Sequence, residues 1–117
     1  MKSKIVVVVG GSKGIGKGVV DAFTNLGAIV HSISRDNCDI TSKKDIDKFF
    51  NNLDKVDILI NNAAINYCKP IEEISLNEWN NVIDTNLTSY FYIIKKCLPL
   101  MKKGSKIVNV SSIAERS

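Results

Sequence analysis

The sequence predicts an α/β fold, an open parallel sheet of about five strands with helices on both faces. Three observations predict it: a continuous β-branched run near the start, a glycine cluster directly behind it, and apolar segments that then alternate between strand and helix spacing. A chain of 117 residues has room for one hydrophobic core, so residues 1–117 are read as a single domain.

Residues 4–9 form a β-branched run with no polar alternation, the pattern of a central parallel strand buried on both faces. Behind it, residues 14–26 place Ile15, Val19, Val20, Phe23 and Leu26 on one helix face, and Gly27 ends the helix. Residues 28–34 read as a second strand and 38–40 as a very short third. Thr41-Ser42 caps a helix carrying Ile46, Phe49, Phe50 and Leu53. A fourth strand is expected at 56–60 and a fifth at 106–110. Between them one long helix is expected over 76–101, with Trp79, Val82, Ile83, Leu87, Phe91 and Ile94 facing the core and Pro99 kinking or ending it.

Composition narrows the function classes. Hydrophobic residues make up 44% and the mean hydropathy is +0.03, which suits a globular chain, and no apolar run is long enough to span a bilayer. The net charge of +4 comes from scattered lysines with no aromatic-basic patch, so neither nucleic acid nor membrane is expected as a partner. Cys38, Cys68 and Cys97 are widely spaced, contain no CxxC pair and read as reduced thiols, which predicts a cytoplasmic protein. His31 lies inside the second strand without ligands at metal spacing, so no metal site is expected.

The chemistry-bearing segment is Gly10-Gly11-Ser12-Lys13-Gly14-Ile15-Gly16, between a strand and a helix. Glycine is needed where the chain turns tightly, where backbone approaches a pyrophosphate, and where the helix packs closely on the strand. The helix N-terminus adds free N–H groups and the positive end of its dipole. Residues 11–17 also fit G-x-x-x-x-G-K, the opening of a P-loop, but Gly18 stands where Mg²⁺ needs a Ser or Thr.

The spacing Gly10-x-x-x-Gly14-x-Gly16 resembles the glycine motif of the short-chain dehydrogenase/reductase family, except that Val9 stands where the family usually has threonine. Further landmarks follow in the family's order. Asp39-Ile40-Thr41 looks like its D-[VI]-T segment, and Asn61-Asn62-Ala63-Ala64 is similar to its N-N-A-G. Asn86 matches its helix asparagine, and residues 107–112 match the strand leading to its active-site serine, here Ser112. The resemblance implies a Rossmann-type sheet in the order 3-2-1-4-5. It also implies hydride transfer between a nicotinamide and a carbonyl or alcohol substrate, with Ser112 and Asn86 in catalytic roles. Asp39 and Ile40 would serve the adenine, and Asn62, Ala63 and Ala64 would complete the cofactor site.

Cofactor choice turns on the end of the second strand, where an acid suits the ribose of NAD and cations suit the extra phosphate of NADP. Ser34 occupies the acid position, Arg35 follows, and Lys13 sits in the glycine loop, so NADP (NADPH) is expected over NAD. Residues 35–38 leave room only for a turn where most family members insert a helix.

The family's Tyr-x-x-x-Lys pair is expected beyond Ser112, and the sequence ends at Ser117. The chain is therefore read as a domain incomplete relative to the family. Tyr92 and Lys96 fit that spacing but precede the serine and are read as coincidence. Two functions are carried forward: an NADP(H)-dependent carbonyl reductase or alcohol dehydrogenase, and a truncated, non-catalytic nucleotide-binding or interaction module. Without its family partners the last strand and the long helix would show an apolar surface, so a homo-oligomer is expected.

Overall fold

The computed structural model describes residues 1–11, 14–62 and 69–110. The chain runs β1 (Ile5–Val9), α1 (Gly14–Asn25), β2 (Ile29–Ile33), α2 (Lys43–Asn51) and β3 (Ile58–Asn61). It continues through a single 3₁₀ turn (Ile71–Glu73), α3 (Leu76–Ile83), a π turn (Asp84–Thr88), α4 (Ser89–Cys97), a 3₁₀ turn (Leu98–Leu100) and β4 (Lys106–Asn109).

All strand pairings are parallel, in the order β2-β1-β3-β4. The chain steps outward from β1 to β2, then returns across β1 to β3, so its direction reverses between β1 and β3. In open α/β sheets, ligands sit outside the strand ends at such a reversal. Alternate residues of β1 serve two cores. Val7 and Val9 join Ile46, Phe50, Leu59, Ile93 and Cys97 on the face covered by α2 and α4. Val6 and Val8 join Ala28 and Ile60 on the face covered by Val19, Val20 and Phe23 of α1.

Two expectations are corrected. Among the described residues the sheet has four strands, because residues 38–40 form no strand. Their backbone donors are spent within the connection: Cys38 N donates to Ser34 O at 3.0 Å, Asp39 N to Asp45 Oδ2 at 3.0 Å and Thr41 N to Asp39 Oδ1 at 2.9 Å. The order otherwise follows the expected one with its outermost strand removed.

The long helix runs where expected, and Pro99 lies in the 3₁₀ turn that ends it. Its buried residues, however, are Thr85, Ser89, Ile93 and Cys97. Trp79, Leu87 and Phe91 are 53%, 65% and 66% exposed, while Val82, Ile83 and Ile94 are half-buried. A π turn adds a residue to one helical turn and so rotates the residues beyond it relative to those before. Ser89 is buried with its hydroxyl satisfied, donating to the Asp84 carbonyl.

Local caps explain the helix starts. Ser42 Oγ accepts from Asp45 N at 3.2 Å to open α2, and Ser75 and Glu78 form a reciprocal capping box at α3. Among the described residues no helix is long and apolar enough to cross a membrane.

Candidate functional site

The carboxyl ends of β1, β2 and β3 meet at the glycine loop. Gly10 leaves β1 with φ 82°, a conformation that L side chains rarely adopt, and its N–H donates to Ile33 O at 2.7 Å. From the other side Asn62 donates twice, its N–H to Val9 O at 3.0 Å and its Nδ2 to Gly10 O at 3.2 Å. The loop is thus tied to both neighbouring strands.

Close packing explains two of its glycines. A Cβ on Gly16 would lie 2.0 Å from Gly10 O and 2.7 Å from Asn62 Nδ2. A Cβ on Gly11 would meet Val20 Cγ2 at 2.8 Å and Ser32 Cβ at 2.9 Å. Gly14 opens α1 at φ 54° with nothing within 4 Å of a built Cβ, so that turn faces open space. The first turn of α1 has no acidic residue, leaving its N–H groups and dipole end unopposed by a carboxylate. Ile15 projects beside them, 67% exposed. Ser12 and Lys13 lie outside the described residues.

At the end of β2, Ser34 is half-buried and Arg35 and Asp36 are exposed. Asp39 stands exposed beyond the turn, with Thr41 N at 2.9 Å and Thr41 Oγ1 at 2.6 Å both donating to its Oδ1. These bonds hold its carboxyl below the usual carboxylate range, so it is an anion at neutral pH. Ile40 packs against the core below it.

At the end of β3, Asn61 is fully buried, and its Nδ2 donates to Asn109 Oδ1 of β4 at 2.8 Å. Asn61 Oδ1 is buried with no hydrogen-bond partner among the described residues. The sequence reading included Asn62 and left out Asn61. Two asparagines at one strand end were the available signal, but not which of them ties the strands. Ala63, Ala64 and Ser112 lie outside the described residues. Asn86 sits half-buried in the π turn, within the long helix.

Tyr92 and Lys96 are accounted for elsewhere. Tyr92 Oη donates to Asp47 Oδ1 at 2.7 Å, and Lys96 Nζ pairs with the same oxygen at 3.3 Å. The hydrogen bond to Asp47 pushes the Tyr92 phenol up, opposite to what a proton-shuttling tyrosine needs. A cleft of 230 Å³ between the turn at Ile40-Thr41 and the long helix reaches Tyr92. It is smaller than the range of about 300–1,000 Å³ usual for ligand pockets. A larger hollow of 630 Å³ runs along α2 past Lys44, Lys48 and Asn51, away from the strand ends.

His31 meets Phe49 edge-on at 6.4 Å, which is packing. Among the described residues no cluster of three His, Cys, Asp or Glu side chains could hold a metal. Cys38 and Cys97 are free and buried, and burial pushes their thiols up to about 11 and about 12.

A family profile described as short chain dehydrogenase matches residues 32–117, beginning in β2 beyond the glycine loop. A 3-oxoacyl-(acyl-carrier-protein) reductase of Buchnera aphidicola is 31% identical over 94% of the chain and 55% of its own length. A tropinone reductase homolog of Arabidopsis thaliana is 32% identical over 92% of the chain and 51% of its own. The chain therefore spans about half the length of the relatives it matches. Among solved structures, the ligand-free aldohexose dehydrogenase of Thermoplasma acidophilum superposes with a TM-score of 0.85 at 31% identity, covering 95% of this chain and 50% of that one. A small-chain dehydrogenase solved with NADPH shares the fold at 24% identity and a TM-score of 0.85, covering 92% of this chain and 50% of that one.

Proposed function

Because this chain belongs to the short-chain dehydrogenase family, we propose that residues 1–117 form the nucleotide-binding portion of an NADP(H)-dependent oxidoreductase. The observation that carries the reading is the glycine loop, where Gly16 admits no Cβ against Gly10 O while Gly14 faces open space. Such a cradle is tight toward the sheet and open toward a ligand, which suits a pyrophosphate resting on the N–H groups that open α1.

In this reading Gly10, Gly11, Ser12, Lys13, Gly14, Ile15 and Gly16 form the cradle. Ser34 and Arg35 take the adenosine ribose, Asp39 and Ile40 the adenine, and Asn62, Ala63 and Ala64 the far wall. The absence of an acid at Ser34 and the presence of Arg35 favour NADP(H) over NAD. A guanidinium in an exposed turn suits a phosphate dianion, whereas an NAD site needs a carboxylate there.

Bound nicotinamide would give its hydride to a carbonyl substrate or, in its oxidised form, take one from an alcohol. Ser112 is assigned the substrate oxygen, and Asn86 a proton-relaying position on the long helix. A homo-oligomer is proposed from the exposed apolar side chains of that helix, and a cytoplasmic setting from the two buried free thiols.

A titration of the chain with NADPH and NADH, followed by nucleotide fluorescence, tests the assignment. Tighter binding of NADPH is expected; equal affinity or no binding of either would overturn it. The second reading, a module that binds without turnover, is favoured by one observation: Tyr92 and Lys96 are committed to Asp47. Carbonyl-dependent NADPH oxidation by this chain would exclude that module.

A further inference from the structure

We infer that Asn37 is a positioning residue for cofactor selection, clasping the free edge of β2 so that Arg35 is presented at the adenosine end of the nucleotide site. This rests on the NADP(H) reading above.

Among the described residues β2 is the outermost strand, and the Ile33 carbonyl points inward to accept from Gly10 N. By strand alternation the backbone groups of Ser32 and Ser34 point outward, where a further strand would pair. The Asn37 side chain occupies that position. Its Oδ1 accepts from Ser34 N at 2.9 Å, and its Nδ2 donates to Ser32 O at 2.7 Å. One carboxamide thus offers the acceptor and donor that a neighbouring peptide group would offer.

The rest of the turn is closed by the same residue. Asn37 N and Cys38 N both donate to Ser34 O, at 3.2 and 3.0 Å. Ile33 and Cys38, 1% and 3% exposed, anchor the two ends in one core cluster. Arg35 and Asp36 are then the residues left at the tip. They carry opposite charges, so the shape of this turn decides which one meets the ribose. The glycine loop is held separately from this turn, by Asn62, whose N–H donates to Val9 O at 3.0 Å and whose Nδ2 donates to Gly10 O at 3.2 Å. A loose turn would leave the pyrophosphate cradle unchanged while the cation lost its preset position, a loss of preorganisation confined to one phosphate.

The test compares Asn37→Ala, Arg35→Ala and the double variant in the full chain, titrated with 2′,5′-ADP and with 5′-AMP. Asn37 is exposed, so Asn37→Ala is expected to fold, and retained 5′-AMP binding checks this. Arg35→Ala is expected to weaken 2′,5′-ADP about tenfold more than 5′-AMP, the worth of a charge-assisted bond. Asn37→Ala is expected to weaken 2′,5′-ADP by about threefold to tenfold with 5′-AMP unchanged, and to add nothing in the Arg35→Ala background.

If Asn37→Ala weakens both probes alike, or neither, while Arg35→Ala behaves as expected, the positioning role fails and the NADP(H) reading survives. If Arg35→Ala leaves the ratio of the two affinities untouched, the NADP(H) reading itself fails, and the role of Asn37 with it.

Discussion

β1 and β4 are both short, parallel and aliphatic, yet they lie at opposite extremes of burial. Val6 to Val9 of β1 are 0% exposed, whereas every residue of β4 is exposed, Ile107 at 36% and Val108 at 46%. Part of the difference is sequence, since β4 begins and ends on Lys106 and Asn109, but Ile107 and Val108 are exposed as well and there the neighbours decide. β1 has a strand on each side and helices over both faces, while among the described residues β4 is paired only with β3. Aliphatic content tells which segments want to be buried, and topology decides which of them are.

The sharpest test of that contrast is at the end of β1, where Gly11 and Gly16 of the glycine loop are buried against their neighbours. Gly16→Ala would drive a Cβ to 2.0 Å from the Gly10 carbonyl, a backbone atom that cannot swing aside. The cost is expected to exceed the ordinary overpacking range of about 1–3 kcal/mol, with nucleotide binding lost as well. Denaturant melts and an NADPH titration would read both, and a stable, binding Gly16→Ala would show the loop to be looser than described.

Next in size is a pair of matched truncations. Leu59 and Ile107 are register partners on β3 and β4, one fully buried and the other at the open edge. Leu59→Ala is expected to cost about 2–5 kcal/mol through lost burial and a cavity. Ile107→Ala removes contacts that are already partly solvated and is expected to cost about 1 kcal/mol or less. Equal shifts in urea midpoint would mean that β4 is covered in solution by something beyond these described residues.

The same contrast explains what the sequence could reveal. β1, α1 and α2 are legible because each obeys one local rule: an unbroken β-branched run, a helical stripe, a cap at Ser42. The third strand at 38–40 was not, because Asn37 and Asp39 divert its hydrogen bonds into a turn, and side-chain competition of that kind leaves no periodic trace. The buried face of the long helix was misread for a related reason. Apolar spacing alone puts Leu87 and Phe91 inward, while the helix with its π turn buries Thr85 and Ser89. Of the site, the glycine loop was visible in the spacing of its residues. The tie between Asn61 and Asn109 was not, since it joins strands distant in sequence.

A smaller effect on stability, but a distinct one on assembly, is expected from the outer face of that helix. Leu87 and Phe91 lie one helical turn apart and are 65% and 66% exposed. Replacing both by glutamate should change unfolding free energy by only about 0.5 kcal/mol, as for other surface positions. If the proposed oligomer uses this face, light scattering should show the variant dissociating at concentrations where the parent chain associates. A parent chain that is monomeric at every concentration would remove the oligomer from the proposal.

The smallest expected effect separates a surface network from a catalytic one. Tyr92 and Lys96 share Asp47, and the bonds they donate hold the Asp47 carboxyl below its usual range, the Tyr92 hydroxyl contributing most. A carboxylate with a depressed pKa adds stability that is present above the ordinary value of about 4 and lost as pH falls through the lowered one. The raised pKa of Tyr92 works the other way, its contribution being present below about 10 and lost as pH rises. The stability difference between the parent chain and Tyr92→Phe should therefore be level from about pH 5 to pH 9 and shrink in acid as Asp47 protonates. NADPH affinity should be unchanged, because the network joins α2 to α4 through Asp47, and none of its three side chains is among the proposed cofactor residues. A Tyr92→Phe variant with weakened nucleotide binding would show instead that the Tyr92–Lys96 pair belongs to the site.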